Sequence, residues 1–144
     1  MVRNTVAFQG EHGAYSEQAI RKLLGESPVT LPCRSFQEIL DFVNEGKADY
    51  AILPVENSLA GTVIPAYDAL IDSDLLVQAE VMLRIEHCLM APKGKSIEDI
   101  KYVISHHQAL AQCSEHIKEE GFEAKEHYDT AGAARDLATS EVPF

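Results

Sequence analysis

The apolar residues of this chain switch repeatedly between a β-type spacing and a helical spacing. A short β-type run at residues 5–8 is followed by apolar residues at helical spacing from Tyr15 to Leu24, and the same alternation recurs along the chain. Strands that alternate with helices in this way indicate βαβ units with mostly parallel strands. We therefore expect an α/β fold.

The alternation forms two blocks. In the first, strands are predicted at residues 5–8, 29–33 and 50–53, with a helix after each of the first two. Pro32 suggests either an edge strand or the end of a strand. Ser35 is the predicted N-cap of the second helix, with Glu38 completing a capping box. The second block is predicted to contain a helix opening at Pro65, a β-rich stretch from residue 75 to 89, strands at 102–104 and 122–126, and helices at 109–120 and 130–139. We expect two small α/β lobes, at about residues 1–78 and 79–144, the second of them incomplete.

Composition restricts the partners. The 144 residues include 12 basic and 23 acidic side chains, a formal charge of −11, which argues against nucleic acid and anionic membranes. No apolar run reaches the roughly 18 residues of a membrane span, and the three cysteines lack a C-x-x-C pair, so we expect a reduced, cytoplasmic protein. The six histidines are not spaced like a known metal site, so we expect no metal.

Ligands of open α/β sheets bind at the carboxyl ends of strands, and four loops there carry polar residues. They cover residues 9–16, 54–63, 105–113 and 128–134. In the second loop Glu56, Asn57 and Ser58 place a carboxylate, an amide and a hydroxyl side by side. This cluster fits a binding site and fits a turn closed by Asx and Ser hydrogen bonds equally well.

The third loop also allows two interpretations. Ser105 and Gln108 have the spacing of a capping box, which is a purely structural role. Gln112 lies one helical turn beyond Gln108, so the helix start and two amides form a plausible carboxylate cradle. In the fourth loop, Asp129 or Thr130 is expected to cap the last helix. No nucleophilic triad, P-loop or dinucleotide fingerprint occurs in the sequence.

In order along the chain, these four loops resemble the motifs of the prephenate dehydratase family. Residues 10–16 read G-E-H-G-A-Y-S, like the family's G-x-x-G-x-Y-S, and residues 54–61 contain P-V-E-N-S with the family's following glycine. Residues 105–113 resemble S-H-P-Q-A-L-x-Q-C, with His107 at the family's proline, and residues 129–134 resemble D-T-A-x-A-A.

The resemblance implies a two-lobed fold similar to type II periplasmic binding proteins, with the substrate between the lobes. It implies the decarboxylative dehydration of prephenate to phenylpyruvate in phenylalanine biosynthesis, a lyase reaction that uses no cofactor. It places substrate-binding residues at Asn57, Ser105 and Gln112, and cleft-lining residues at Glu56, Ser58, Thr62 and Thr130.

The resemblance also leaves the catalytic residue unassigned. The family's catalytic threonine lies in a T-R-F segment that falls beyond Phe144, and no Thr-Arg pair occurs in this sequence. We expect weak prephenate binding, little activity, and self-association through an open sheet edge. A non-catalytic two-lobed domain that binds a small anion or senses an effector remains the alternative.

Overall fold

The computed structural model describes residues 4–139, and the chain divides into two compact units at Arg84–Ile85. The first unit contains β1 (Thr5–Gln9), α1 (Tyr15–Leu24), β2 (Val29–Cys33), α2 (Phe36–Asn44), β3 (Tyr50–Ile52), β4 (Glu56–Asn57), β5 (Gly61–Thr62) and α3 (Ile64–Ile71). The second contains a 3₁₀ turn (Ile97–Asp99), β6 (Tyr102–Ser105), α4 (His107–Gln112), α5 (Ser114–Glu119), β7 (Glu123–Glu126) and α6 (Thr130–Ala138). No helix within residues 4–139 has the length and apolar character needed to cross a bilayer.

The central strand of the first unit is β1. It pairs in parallel with β2 on one side and β3 on the other, and Ala7 lies opposite Leu31 and Ala51. The order β2-β1-β3 confirms the parallel arrangement expected from the alternating pattern. It also places Pro32 on an edge strand, where the missing N–H of proline is tolerated.

The two faces of β1 are covered by different helices because successive side chains of a strand point to opposite sides. Val6 and Phe8 form a buried cluster with Ile20 of α1. Ala7 forms a second cluster that includes Ile39 of α2. The first unit is therefore a three-layer α/β arrangement whose core lies on both sides of β1.

Local sequence signals position these helices as expected. The N-cap prediction for Ser35 is confirmed, since the Ser35 hydroxyl accepts a hydrogen bond from the Glu38 N–H at 3.2 Å. The Glu38 carboxylate accepts from the Arg34 N–H at 2.6 Å instead of closing the box at Ser35. Helix α1 ends at Gly25, whose φ of +78° is a conformation that glycine adopts without steric cost.

The sheet of the second unit consists of β6 and β7, which are parallel and pair Tyr102 with Glu123. The single helix expected at residues 109–120 is wrong, because α4 and α5 are separate and meet at Cys113. The Cys113 N–H donates to the carbonyls of both Ala109 and Leu110, at 3.1 and 3.2 Å. The second of these bonds is of the tighter 3₁₀ type that commonly closes a helix.

The β-rich stretch expected at residues 75–89 is also wrong. Residues 74–92 contain no strand or helix, and several of their large apolar side chains are exposed, among them Leu76 at 79% and Met82 at 86%. A strand requires a hydrogen-bonded neighbour, and nothing within residues 4–139 pairs with this stretch. We call residues 75–90 the exposed apolar segment.

Candidate functional site

In the first unit, two of the four motif loops begin at the same edge of the sheet. Strands β1 and β3 are parallel neighbours, so the turn after Gln9 and the loop after Ile52 both leave from their carboxyl ends. This is the edge at which open α/β sheets bind ligands.

A buried carboxylate fixes the turn between β1 and α1. Glu17 is 7% exposed, and its carboxylate accepts hydrogen bonds from the Gly13 N–H at 2.6 Å and from the Thr30 hydroxyl at 2.7 Å. His12 Nδ1 and Arg21 Nη2 lie 3.2 and 3.0 Å from the same carboxylate. Sequence analysis did not find this role, since a glutamate in a first helical turn more often only complements the helix dipole.

These contacts determine the ionisation of Glu17. Burial alone raises the pKa of its carboxyl, but the hydrogen bonds from Gly13, Thr30 and His12 outweigh burial and bring the pKa down to about 2. Glu17 is therefore ionised at neutral pH and works as an internal anion that holds the turn.

The second motif loop folds into a hairpin. Strands β4 and β5 are antiparallel, with Glu56 opposite Thr62 and Asn57 opposite Gly61. Asn57 Oδ1 accepts hydrogen bonds from the N–H groups of Leu59 and Ala60, both at 2.9 Å. The Asx interpretation of Asn57 is thus confirmed.

The hairpin also gathers the predicted site residues of the first unit. Glu56, Ser58 and Thr62 are exposed and Asn57 is half-buried. Since Glu56 and Thr62 are directly paired, their side chains lie on one face of the hairpin. The structure thus places a carboxylate and a hydroxyl together beside an amide whose oxygen is already engaged.

In the second unit, the carboxyl edge of β6 and β7 brings two predicted residues into contact. The Ser105 hydroxyl donates to Thr130 Oγ1 at 3.1 Å. Thr130 is held there because Asp129 caps α6, accepting from the Gly132 N–H at 2.7 Å. The expectation that Asp129 or Thr130 caps this helix is confirmed, with Asp129 in that role.

The capping-box prediction for Ser105 and Gln108 is wrong. Ser105 is the last residue of β6, and the N-cap of α4 is His106, whose Nδ1 accepts from the Gln108 N–H at 3.3 Å. Burial lowers the pKa of His106, and the neighbouring His107 lowers it further, which favours the neutral ring that such a cap requires. Helix α4 has six residues, so it aligns few peptide dipoles for the expected carboxylate cradle.

Gln112 has a different contact from the one expected. Its Oε1 lies 2.7 Å from Nε2 of His87, a residue of the exposed apolar segment. The contact ties α4 to the beginning of the second unit. Sequence spacing from Gln108 gave no indication of His87, which lies 25 residues earlier.

One further group beside Thr130 was missed by sequence analysis. His127 follows β7, and its Nε2 lies 3.0 Å from Oδ2 of Asp136. Arg135 above all, and then His127, hold the pKa of Asp136 below its usual range. A histidine and an aspartate nine residues apart give no recognisable sequence signal, because their contact depends on the turn from β7 into α6.

In each of the two units, hydroxyl and amide side chains lie at the carboxyl edge of the sheet. Hydrogen-bond donors of this kind suit the carboxylates of a small anion. They suit it especially in a chain with a net charge of −11, in which long-range attraction cannot contribute to anion binding.

Comparison with known proteins identifies the same family that the sequence motifs resemble. The family model for prephenate dehydratase matches residues 6–143. Arogenate dehydratase 2 of Petunia hybrida is 42% identical over 140 residues, which are 97% of this chain and 35% of that protein. A bifunctional N-acyl-homoserine lactone acylase/prephenate dehydratase of Komagataeibacter europaeus is 39% identical over 90% of this chain and 46% of that protein.

A solved structure of a prephenate dehydratase has a similar fold. Prephenate dehydratase from Arthrobacter aurescens, in complex with L-Phe, superposes with a TM-score of 0.73 at 29% identity, over 92% of this chain and 45% of that chain. This chain therefore spans about a third to a half of the length of the relatives it matches.

Proposed function

Because this chain belongs to the prephenate dehydratase family, we propose that it carries substrate-binding surfaces of a dehydratase that acts on prephenate. In the proposed reaction the ring carboxylate leaves as carbon dioxide. The electron pair of the broken carbon–carbon bond enters the ring, the ring hydroxyl leaves, and one proton converts it to water. Formation of the aromatic ring drives the step, so the protein has to position the substrate and assist the departing hydroxyl.

The observation that carries this proposal is the hydroxyl pair of Ser105 and Thr130, which are 3.1 Å apart at the sheet edge of the second unit. We assign both hydroxyls, with Gln112, to substrate binding. In the first unit we assign the same role to Asn57, with Glu56, Ser58 and Thr62 around it. We further propose that the two units are the lobes of a fold similar to type II periplasmic binding proteins.

A direct test is prephenate binding measured by calorimetry. Replacing Ser105 by alanine removes one hydroxyl of the pair and leaves Thr130 Oγ1 without its 3.1 Å partner, which is expected to weaken binding about tenfold or more. Ser27→Ala is the matched control, since Ser27 is an exposed serine of the first unit. Equal affinity of Ser105→Ala and the control would refute the assignment of Ser105.

The alternative is a domain that binds a small anion or an effector without chemistry. Such a domain is expected to bind prephenate and to release little phenylpyruvate. Phenylpyruvate is followed by its ultraviolet absorbance. Turnover at the rate of a longer relative would contradict this proposal, and binding of L-phenylalanine without prephenate would favour the sensing function. Arogenate should be assayed as a second substrate, because the Petunia relative is an arogenate dehydratase.

We also propose that the chain self-associates through the exposed apolar segment. Leu76, Val77 and Met82 are each more than 70% exposed there, and exposed apolar stretches of this kind mark contact surfaces. Light scattering should show a concentration-dependent rise in mass that Met82→Asp reduces; a monomer at every concentration would contradict the proposal.

Cys33, Cys88 and Cys113 are unpaired, which is compatible with the proposed cytoplasmic location.

A further inference from the structure

Residues 80–84, in the middle of the exposed apolar segment, alternate in burial. The exposed residues are Glu80, Met82 and Arg84, and the half-buried residues between them are Val81 and Leu83. Successive side chains of a strand point to opposite faces, so this period of two is typical of a strand with one face on the protein and the other in solvent. The five residues therefore have the side-chain pattern of a strand, although no strand within residues 4–139 pairs with them.

One edge of these five residues is held by a helix of the same unit. Lys22 of α1 donates through Nζ to the Met82 carbonyl oxygen at 2.7 Å. In an antiparallel strand the N–H and C=O groups of one residue point to one edge, and those of the next residue point to the opposite edge. With the Met82 carbonyl turned towards α1, strand geometry places the backbone groups of Val81 and Leu83 at the other edge. That edge is suited to pairing with a strand of another chain.

The charges on the exposed face indicate which chain this is. Glu80 and Arg84 lie two residues before and two residues after Met82. An antiparallel second copy centred on Met82 therefore has its Arg84 opposite Glu80 and its Glu80 opposite Arg84. A parallel copy in the same register has glutamate opposite glutamate and arginine opposite arginine, which is destabilising. The charge pattern thus favours a second copy of this chain in the antiparallel orientation.

We propose that two copies of this chain associate by antiparallel pairing of residues 80–84 about a two-fold axis at Met82. The proposal rests on the self-association through the exposed apolar segment proposed above, and it specifies the contact. The backbone N–H and C=O groups of Val81 in each copy pair with those of Leu83 in the other. The two Met82 side chains become neighbours on the exposed face. Because both copies use the same surface, the interface is closed and gives a discrete dimer.

The acidic character of the chain does not oppose this contact. Each copy has a formal charge of −11, but at physiological ionic strength exposed charges more than about 8 Å apart are largely screened from each other. Directly opposed side chains of an antiparallel pair lie well inside that distance. A guanidinium has five N–H donors, so Arg84 can bond the partner's Glu80 in addition to the contacts that it makes in its own chain.

A charge-reversal cycle tests the register. Glu80→Arg sets arginine against arginine and Arg84→Glu sets glutamate against glutamate, and each variant should raise the dimer dissociation constant about tenfold in analytical ultracentrifugation. The double variant reverses both charges at an unchanged net charge and should restore most of the affinity. Glu119→Arg is the matched control, because Glu119 is 77% exposed on α5 and its replacement changes the net charge as Glu80→Arg does. A double variant as weak as the single variants, or a control that weakens the dimer equally, would refute the register.

Disulfide cross-linking tests the geometry independently of charge. In the proposed pairing Met82 faces its own copy in a non-hydrogen-bonded pair, whose Cα atoms are about 4.5 Å apart, a distance that a disulfide can span. In a Cys88→Ser background, Met82→Cys should therefore form a covalent dimer on mild oxidation with diamide. Gln78→Cys is the control, because Gln78 is also exposed but its two copies are about 27 Å apart along the paired strands. Cross-linking of Gln78→Cys at an equal or higher rate would overturn the proposal.

The outcomes separate this inference from the proposed function. If Met82→Asp reduces association but the charge reversals and cross-links do not behave as expected, the antiparallel pairing fails and the proposed self-association stands. A chain that is monomeric at every concentration overturns both. If the charge-reversal cycle and the cross-links behave as expected and calorimetry detects no prephenate binding, the proposed function fails and the pairing stands.

Discussion

Replacing Glu17 by glutamine removes the charge that holds the turn between β1 and α1. The carboxylate is almost completely buried and accepts hydrogen bonds from the Gly13 N–H at 2.6 Å and the Thr30 hydroxyl at 2.7 Å. Glutamine has nearly the same shape, so the substitution tests the charge and leaves the packing almost unchanged. The pKa of about 2, against an ordinary value of 4.5, corresponds to roughly 3 kcal/mol of stabilisation.

The sign of the pH dependence follows from the lowered pKa. A carboxyl whose pKa is lower in the folded state stabilises that state fully above its unfolded pKa of 4.5. The contribution is lost as the pH falls through the folded value of about 2, and roughly half of it remains near pH 3. The difference in stability between the unaltered chain and Glu17→Gln should therefore be about 3 kcal/mol at pH 7 and small at pH 2.

The assay is urea unfolding followed through the NMR signals of Val6, Ala7 and Phe8, which report on the first unit. Glu26→Gln is the matched control. Its carboxylate also bonds Arg21, at 2.7 Å, but its side chain is 80% exposed, so its loss should cost less than about 1 kcal/mol. A stability difference for Glu17→Gln that is the same at pH 7 and pH 2, or no larger than that of the control, would refute the reasoning.

Three further predictions concern packing, capping and thiol chemistry. Phe8→Ala empties a position that is 0% exposed and should cost about 3–5 kcal/mol of unfolding free energy; a loss below 1 kcal/mol in urea unfolding would contradict the described core. Ser35→Ala removes the hydroxyl that accepts the Glu38 N–H and should cost about 1 kcal/mol by the same measurement, whereas Ser35→Asp should retain most of the stability. Cys88 is exposed, while burial raises the pKa of the Cys33 thiol, so an aromatic disulfide reagent at pH 7 should label Cys88 first. Equal rates in peptide mapping would contradict this order.

The features that sequence predicted well depend on short-range patterns. The parallel sheet around β1 follows from alternating periods, and the caps at Ser35 and Asp129 follow from side chains that reach backbone groups a few residues away. Such signals need only local chain geometry, so they are visible before the fold is known.

The features that sequence missed depend on contacts between distant parts of the chain. Ser105 has the local spacing of a cap, but its hydroxyl bonds Thr130, 25 residues away, because β6 continues through Ser105. The apolar stretch at residues 75–89 has strand-like composition, yet composition does not supply a pairing neighbour. The bond of Glu17 to Thr30 and that of His127 to Asp136 likewise appear only once the elements are folded together.

The turn at Asn57 also fixes the orientation of its side-chain amide. Because Oδ1 accepts two backbone N–H groups, rotating the amide by half a turn would break both bonds and set donors against donors. Oδ1 is therefore committed to the hairpin, and the amide nitrogen at the other end of the group can only donate. The two bonds that close the hairpin thus also determine which atom of the Asn57 amide faces the turn.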